Sequence, residues 1–77
     1  MNYEERIERR PNVAGGEAVI KGTRVTLRTV LASLAEGATT AEILEDFPTL
    51  TDEDVRAVIA FAAASAQEVP VGAAHVR

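Results

Sequence analysis

Few side chains of this 77-residue chain have the chemistry that catalysis requires. Cysteine is absent, which excludes disulfides, thiolate metal ligands and thiol nucleophiles. The single histidine, His75, lies in a C-terminal stretch without hydrophobic periodicity, where nothing would orient it as a base. The consecutive acids Asp52, Glu53 and Asp54 suit the positive dipole end of a predicted helix, which explains them without a reaction. We therefore expect a protein that is not an enzyme and that uses no metal or cofactor.

A glycine-rich segment followed by an arginine suggests ligand recognition. Gly15, Gly16 and Gly22 precede Thr23 and Arg24, but the order lacks the GxxxxGK[ST] pattern of a phosphate-binding loop. Structural turns are therefore the favoured interpretation of these glycines, and of Thr23 with them. The guanidinium of Arg24 could form a bidentate pair with a carboxylate or a phosphate. An internal ion pair or cap that locks the turn to the helices is slightly favoured for Arg24, and both interpretations stay open.

Charge is unevenly distributed along the chain. The net charge is −4 and the pI about 4.8, which argues against a protein dominated by affinity for nucleic acid. Through residue 28, however, six basic residues stand against four acids, whereas from residue 29 onward two stand against eight. The basic N-terminal residues are the candidate nucleic-acid contacts: Arg6, Arg9, Arg10, Lys21, Arg24 and Arg28.

The first half of the sequence predicts β structure. Residues 7–10 form a short extended stretch that ends at Pro11. Residues 18–20 and 24–26 are β-prone triplets, and the three residues between them predict a tight hairpin with Gly22 at a positive φ. Strands this short are not stable alone in water, so we expect them to pack on helices or on another chain.

From Thr26 onward the hydrophobic spacing becomes helical. A first helix, ending at Gly37, is predicted by four apolar residues at helical spacing: Leu27, Val30, Leu31 and Leu34. Thr39 and Glu42 form a capping-box pattern that predicts the start of a second helix. This helix runs to about residue 47, because Pro48 cannot continue it.

A third helix is predicted from a cap at Thr51 to about residue 67. At about 100° per residue, five apolar residues share one face: Val55, Val58, Ile59, Ala62 and Ala66. A second apolar face, which we predict as a partner or oligomer interface, contains Ala57, Phe61 and Ala64. A helix that is apolar on two sides needs two surfaces to cover it. The second surface is either another subunit or the hairpin of the same chain, and the sequence does not decide between them.

These elements predict one α+β domain, mostly α, over residues 1–67. A short N-terminal β-hairpin region precedes a three-helix, helix-turn-helix-like bundle, and residues 68–77 are predicted to form a flexible tail. No apolar run approaches the ~18 residues that cross a bilayer, so we expect no membrane association and a cytoplasmic location. If the last helix entered a DNA groove, its N-terminal acids would be repelled by the phosphates.

Residues 11–25 resemble the signature of the bacterial DUF433 family. They read PNVAGGEAVIKGTRV, close to the family pattern P-x-[IV]-x-G-G-x-P-[VC]-I-x-G-T-R-[IV]. The order and spacing of the later segments also agree, so that the resemblance covers about residues 6–67. Ala18 departs from the pattern, where proline is usual, and this change is expected to loosen the hairpin. The resemblance implies a helix-turn-helix or winged-helix-like domain.

The resemblance also implies a function, because such proteins resemble the antitoxins of type II toxin–antitoxin pairs. We therefore expect a protein that binds and neutralises a PIN-like nuclease toxin. The small core and the two apolar faces of the last helix further predict a homo-oligomer, a dimer or larger. Repression of the shared promoter through operator DNA is a further expectation. The alternatives are a DNA-binding transcriptional regulator and a plain dimerisation module.

Overall fold

The computed structural model describes residues 2–67. The predicted tail, residues 68–77, and His75 within it lie outside the described residues. The chain folds as a short antiparallel hairpin followed by three helices, which confirms the predicted α+β class. In chain order the elements are a 3-10 turn Tyr3–Arg6, β1 Ile7–Arg9, a 3-10 turn Ala14–Gly16, β2 Ala18–Ile20, α1 Leu27–Ala35, α2 Thr40–Asp46 and α3 Asp52–Gln67.

The hairpin is built from different strands than the sequence predicted. β1 pairs with β2, so that Ile7 faces Ile20 across the ladder. Residues 24–26 form no strand and contribute a single bridge, between Val19 and Thr26. The reason is local, because Thr26 already caps α1 by accepting the Thr29 N–H at 3.1 Å. Residues 24–26 lead directly into α1, and so short a segment cannot also form a strand.

The helix boundaries follow the capping signals of the sequence. The capping box before α2 is confirmed, because the Thr39 N–H donates to Glu42 Oε1 at 2.8 Å and the Glu42 N–H donates to Thr39 Oγ1 at 3.2 Å. Past the end of α1, Gly37 adopts a φ of +97°, a left-handed conformation that disfavours other residues. Within residues 2–67, no helix has both the length and the apolar character that crossing a bilayer demands.

The hydrophobic core lies between the hairpin and the three helices. Its buried residues come from β2, all three helices and the loop before α3: Ile20, Leu27, Val30, Ile43, Leu50, Val55 and Val58. α3 is the central element, because it packs against α1 and α2 and, most extensively, against the N-terminal 3-10 turn Tyr3–Arg6. This turn packs directly on α3, the helix for which the sequence predicted two apolar faces.

Candidate interaction surfaces

The second apolar face of α3 is covered by the same chain. Ala57 is completely buried, and the half-buried ring of Phe61 meets the ring of Tyr3 edge-on, with centroids 6.3 Å apart and an interplanar angle of 82°. Ala64 is also partly buried. Because Ala57 is buried within the chain, it is not accessible to a partner as the predicted interface requires. Phe61 packs against the N-terminal turn of the same chain. The covering element is this turn, which the sequence patterns did not identify.

Ile59 is the large hydrophobic side chain that residues 2–67 leave exposed, at 46% of its full accessibility. Its predicted place was on the buried face with Val55 and Val58, and that placement is wrong. The buried arc of α3 is centred between the two apolar faces that the sequence suggested, so that it includes Ala57 and Val58 but ends before Ile59. The helical period was correct, but the direction of the core could not be read from α3 alone.

We define the outer face of α3 as the solvent-exposed stripe that contains Ile59. Its residues follow each other at helical spacing: Asp52, Arg56, Ile59, Ala63 and Ala66. Arg56 Nε lies 3.1 Å from Asp52 Oδ2, one turn earlier, so the charges at the start of the stripe neutralise each other. The stripe therefore presents one branched aliphatic side chain beside small residues that would allow a partner to approach closely.

The exposed charges of the three helices are mostly acidic. Between residues 29 and 67 the exposed acids are Glu36, Glu42, Glu45, Asp46, Asp52 and Glu53. Arg56 is the one basic residue in that range, and it is paired with Asp52. The helical half of the described chain thus has a negative surface. Within residues 2–67, no three side chains of the metal-binding types converge on a common point.

Three of the six candidate nucleic-acid contacts are engaged by acids of the same chain. Arg28 Nη2 lies 2.7 Å from Glu17 Oε2. Arg6 donates to Glu53 at 2.8 Å and to Asp54 at 3.0 Å. Arg10 Nε lies 3.2 Å from Glu8 Oε2, although the direction of its N–H is not that of a hydrogen bond. These pairs reduce the positive potential that the N-terminal segment offers to a polyanion.

The remaining three candidate contacts are less constrained. Arg9 donates to the Gly16 carbonyl at 3.4 Å and is exposed. For Lys21 and Arg24, both exposed, no side-chain ion pair or hydrogen bond is formed within residues 2–67. These two residues flank Gly22 and Thr23, so two of the three positive charges of the hairpin region that no acid compensates lie at one turn.

Asp54 holds the beginning of α3 to the N-terminal turn. Its carboxylate, in a residue only 7% exposed, accepts the Thr51 N–H at 2.9 Å through Oδ2 and an Arg6 hydrogen bond at 3.0 Å through Oδ1. The Asp54 N–H donates in return to Thr51 Oγ1 at 3.2 Å. This acid serves the structure, as the capping interpretation predicted. Arg6 occupies the end of the helix that a helix-turn-helix protein would present to DNA.

The turn between β2 and α1 is fixed by a dense set of internal hydrogen bonds. Gly22, at a φ of +79°, donates its N–H to Glu8 Oε2 at 3.0 Å. Thr23 donates its N–H and its hydroxyl to the Ile20 carbonyl, at 2.9 and 2.8 Å. The Val25 N–H donates to Thr23 Oγ1 at 3.0 Å. The structural role predicted for Gly22 and Thr23 agrees with this geometry.

The other two predicted turn glycines, Gly15 and Gly16, also have positive φ values, in the turn Ala14–Gly16.

A cleft of about 350 Å³ opens beside this turn. It is lined by Arg10, Val13, Gly22, Thr23, Arg24, Val25 and Thr49. Arg10 Nη2 donates to the Thr23 carbonyl at 2.8 Å, so Arg10 rather than Arg24 holds the turn in place. This role of Arg10 could not be read from the sequence, because the two arginines are 14 positions apart and only the fold brings them to one cleft.

Comparison with known proteins decides the family. Residues 7–62 match a family model described as a protein of unknown function, DUF433, and this range is more than half of the chain. The chain belongs to the DUF433 family. The resemblance seen in residues 11–25 is thereby confirmed. The match includes the Gly22–Arg24 turn, the cleft and Ile59, whereas Tyr3 and Arg6 precede it.

Two relatives place this DUF433 domain among known proteins. The uncharacterized protein y4eO of Sinorhizobium fredii (strain NBRC 101917 / NGR234) is 38% identical over 55 residues, which are 71% of this chain. The chain spans only 25% of the length of y4eO. The crystal structure of a DUF433 member from Anabaena variabilis ATCC 29413 superposes with a TM-score of 0.73 at 33% identity, over 82% of this chain and 62% of that one.

Proposed function

We propose that this DUF433 protein is an antitoxin-type binding protein that neutralises a PIN-like nuclease. The resemblance of residues 11–25 to a family associated with toxin–antitoxin pairs motivates the toxin as partner. The observation that carries the proposal is the exposed side chain of Ile59 within a helical half whose exposed charges are almost all acidic. A nuclease must hold RNA in a basic cleft, and an acidic surface with an apolar centre is complementary to such a cleft.

The two features would contribute differently to binding. Burying the exposed part of Ile59 contributes about 1 kcal/mol, since complete burial of an isoleucine side chain is worth about 1.5–3 kcal/mol. The exposed acids act mainly on the association rate and on the choice of partner, because charge complementarity steers encounter more than it strengthens the complex. We therefore expect a complex whose formation slows as salt concentration rises and whose lifetime depends on Ile59.

Co-purification with the product of the adjacent gene tests the proposal. Ile59→Glu is expected to weaken that complex at least tenfold, because it places a charge in the apolar centre of the interface. Ala41→Glu is the matched control, since it adds the same charge at an exposed helical position outside α3. Equal binding by both variants would exclude the outer face of α3. Absence of any complex with the wild-type chain at micromolar concentration would count against the antitoxin function.

Self-association is measured in the same experiment, by sedimentation of the free protein. We expect the homo-oligomer to survive in Ile59→Glu, because the outer face of α3 is proposed to hold the nuclease. A dimer that this variant converts to a monomer would instead assign the outer face to a second copy of the chain.

Promoter binding is the second candidate function, and it draws on Lys21 and Arg24, whose charges have no partner within residues 2–67. It ranks below partner binding because acids of the chain engage three of the other candidate bases. In a mobility-shift assay on its own promoter, the double variant Lys21→Ala, Arg24→Ala is expected to lower the slope of log affinity against log salt by about 2. No retardation at low salt, with the partner protein present, would exclude this function.

A further inference from the structure

Arg24 is the side chain of the cleft for which the fold has no evident use. Arg10 already locks the turn through the Thr23 carbonyl, and the backbone around Arg24 is fixed by the hydrogen bonds of Thr23. Within residues 2–67 the guanidinium of Arg24 forms no ion pair and no hydrogen bond. A rigid turn therefore presents an exposed, uncompensated cation at the edge of a cleft.

We infer that this cleft binds a carboxylate group, of the kind carried by an aspartate or glutamate side chain or by the end of a peptide. The charge of the lining supports one such group. Of its two arginines, Arg10 lies 3.2 Å from the Glu8 carboxylate, which compensates its charge. Arg24 alone is left, so one monovalent anion neutralises the site.

The hydrogen bonds of the turn favour a carboxylate over a phosphate. Phosphate-binding loops use several free backbone N–H groups that converge on the anion. Here the N–H groups of Gly22, Thr23 and Val25 are taken by Glu8, Ile20 and the Thr23 hydroxyl. Within residues 2–67 the Arg24 N–H has no acceptor, and one free N–H is fewer than a phosphate-binding loop uses. The planar fork of the Arg24 guanidinium has parallel N–H groups that match the two oxygens of a carboxylate.

The remaining walls suit a carboxylate on a short aliphatic stem. Val13 is buried and Val25 half-buried, so the cleft has apolar lining next to the cation. Thr49, from the loop between α2 and α3, provides a hydroxyl on the lining. The volume of about 350 Å³ is at the small end of the range of ligand sites. The inference goes beyond the proposed nuclease contact, because none of the lining residues belongs to α3.

Titration of the ¹⁵N-labelled full chain with acetate tests the inference, with sodium chloride used to hold the ionic strength constant. Saturable shifts with a millimolar dissociation constant are expected at the amides of residues 22–25 and 49. Arg24→Gln is expected to weaken binding at least fivefold, and Arg24→Lys to weaken it as well, because lysine keeps the charge but lacks the fork. The control Arg56→Gln removes an exposed cation from α3, away from the cleft, and is expected to bind acetate as the wild type does.

Two results would overturn the inference. One is a linear, non-saturating response, or an equal loss in Arg24→Gln and Arg56→Gln, which would indicate general charge screening. The other is tighter binding of inorganic phosphate than of acetate in a parallel titration, which would assign the cleft to a phosphate. Either result leaves the nuclease proposal untouched, because that proposal is tested by variants of Ile59.

Discussion

The carboxylate of Asp54 connects parts of the chain that are far apart in sequence, and its replacement tests the packing of the N-terminal turn on α3. Oδ2 caps α3 through the Thr51 N–H, and Oδ1 accepts a hydrogen bond from Arg6, 48 positions earlier. Asp54→Asn changes the shape of the side chain little but removes its charge. An asparagine oxygen can accept only one of these two hydrogen bonds well, and the amide group that replaces the other oxygen repels its donor.

The expected loss follows from the burial of the pair. A hydrogen bond to a charged group contributes about 1.5–3 kcal/mol, more when the pair is shielded from water. The Asp54 side chain is 10% exposed and that of Arg6 34%, so the lower part of this range applies. We expect Asp54→Asn to reduce the free energy of unfolding by about 2 kcal/mol. A domain of this length has roughly 4–10 kcal/mol in total, so the variant remains folded but clearly weakened.

Urea denaturation followed by circular dichroism measures this loss. The control is Glu53→Gln, which removes the same charge one position earlier in a side chain that is 62% exposed and also pairs with Arg6. An exposed ion pair of this kind contributes about 0.5 kcal/mol or less. In double-mutant cycles with Arg6→Gln, the coupling energy to Asp54 is therefore expected to exceed that to Glu53 by about 1 kcal/mol. Equal losses in the two variants would refute the anchoring role of Asp54.

Two further predictions concern single residues at helix ends, both measured by the same denaturation experiment. Thr39→Ala removes one half of the capping box of α2 and is expected to cost about 1 kcal/mol, whereas Thr40→Ala, inside the helix, is expected to cost much less. Gly37→Ala places a Cβ at a φ of +97°, where space is open but the backbone is strained, so a loss of about 1–2 kcal/mol is expected. If Thr39→Ala were as stable as the wild type, the capping role of Thr39 would be contradicted. If Gly37→Ala were as stable as the wild type, the strain expected at the positive φ of residue 37 would be contradicted.

The helical part of the fold was predictable because its signals are local. The pair Thr39 and Glu42 are three positions apart and satisfy each other, so the sequence alone predicts where α2 begins. Thr51 and Asp54 act in the same way at the start of α3. Gly37 marks the end of α1 because few other residues adopt its conformation. None of these inferences required knowledge of the rest of the fold.

The strand pairing and the cleft were not predictable, because they depend on contacts between distant positions. Two arginines near one turn are equivalent by composition, yet Arg10 locks the Thr23 carbonyl and Arg24 is left exposed. The pairing of β1 with β2 places Ile7, the first residue of β1, opposite Ile20 next to the turn, and the Arg10 side chain reaches the Thr23 carbonyl from the other end of β1. The turn signal at Gly22 favoured residues 24–26 as the partner of β2, whereas the structure pairs β2 with β1.

The outcome for α3 changes the reason for expecting a partner. A chain this short buries only about 60% of its unfolded surface, and a helix that is apolar on two sides predicts a missing cover. Tyr3 and Arg6 provide much of that cover from within the chain, by contacting Phe61 and Asp54. What is left is the narrow outer face around Ile59, too small to be needed for folding. The proposal of a basic partner therefore rests on the exposed side chain of Ile59 and on the acidic exposed residues of the helical half, and no longer on an uncovered apolar face of α3.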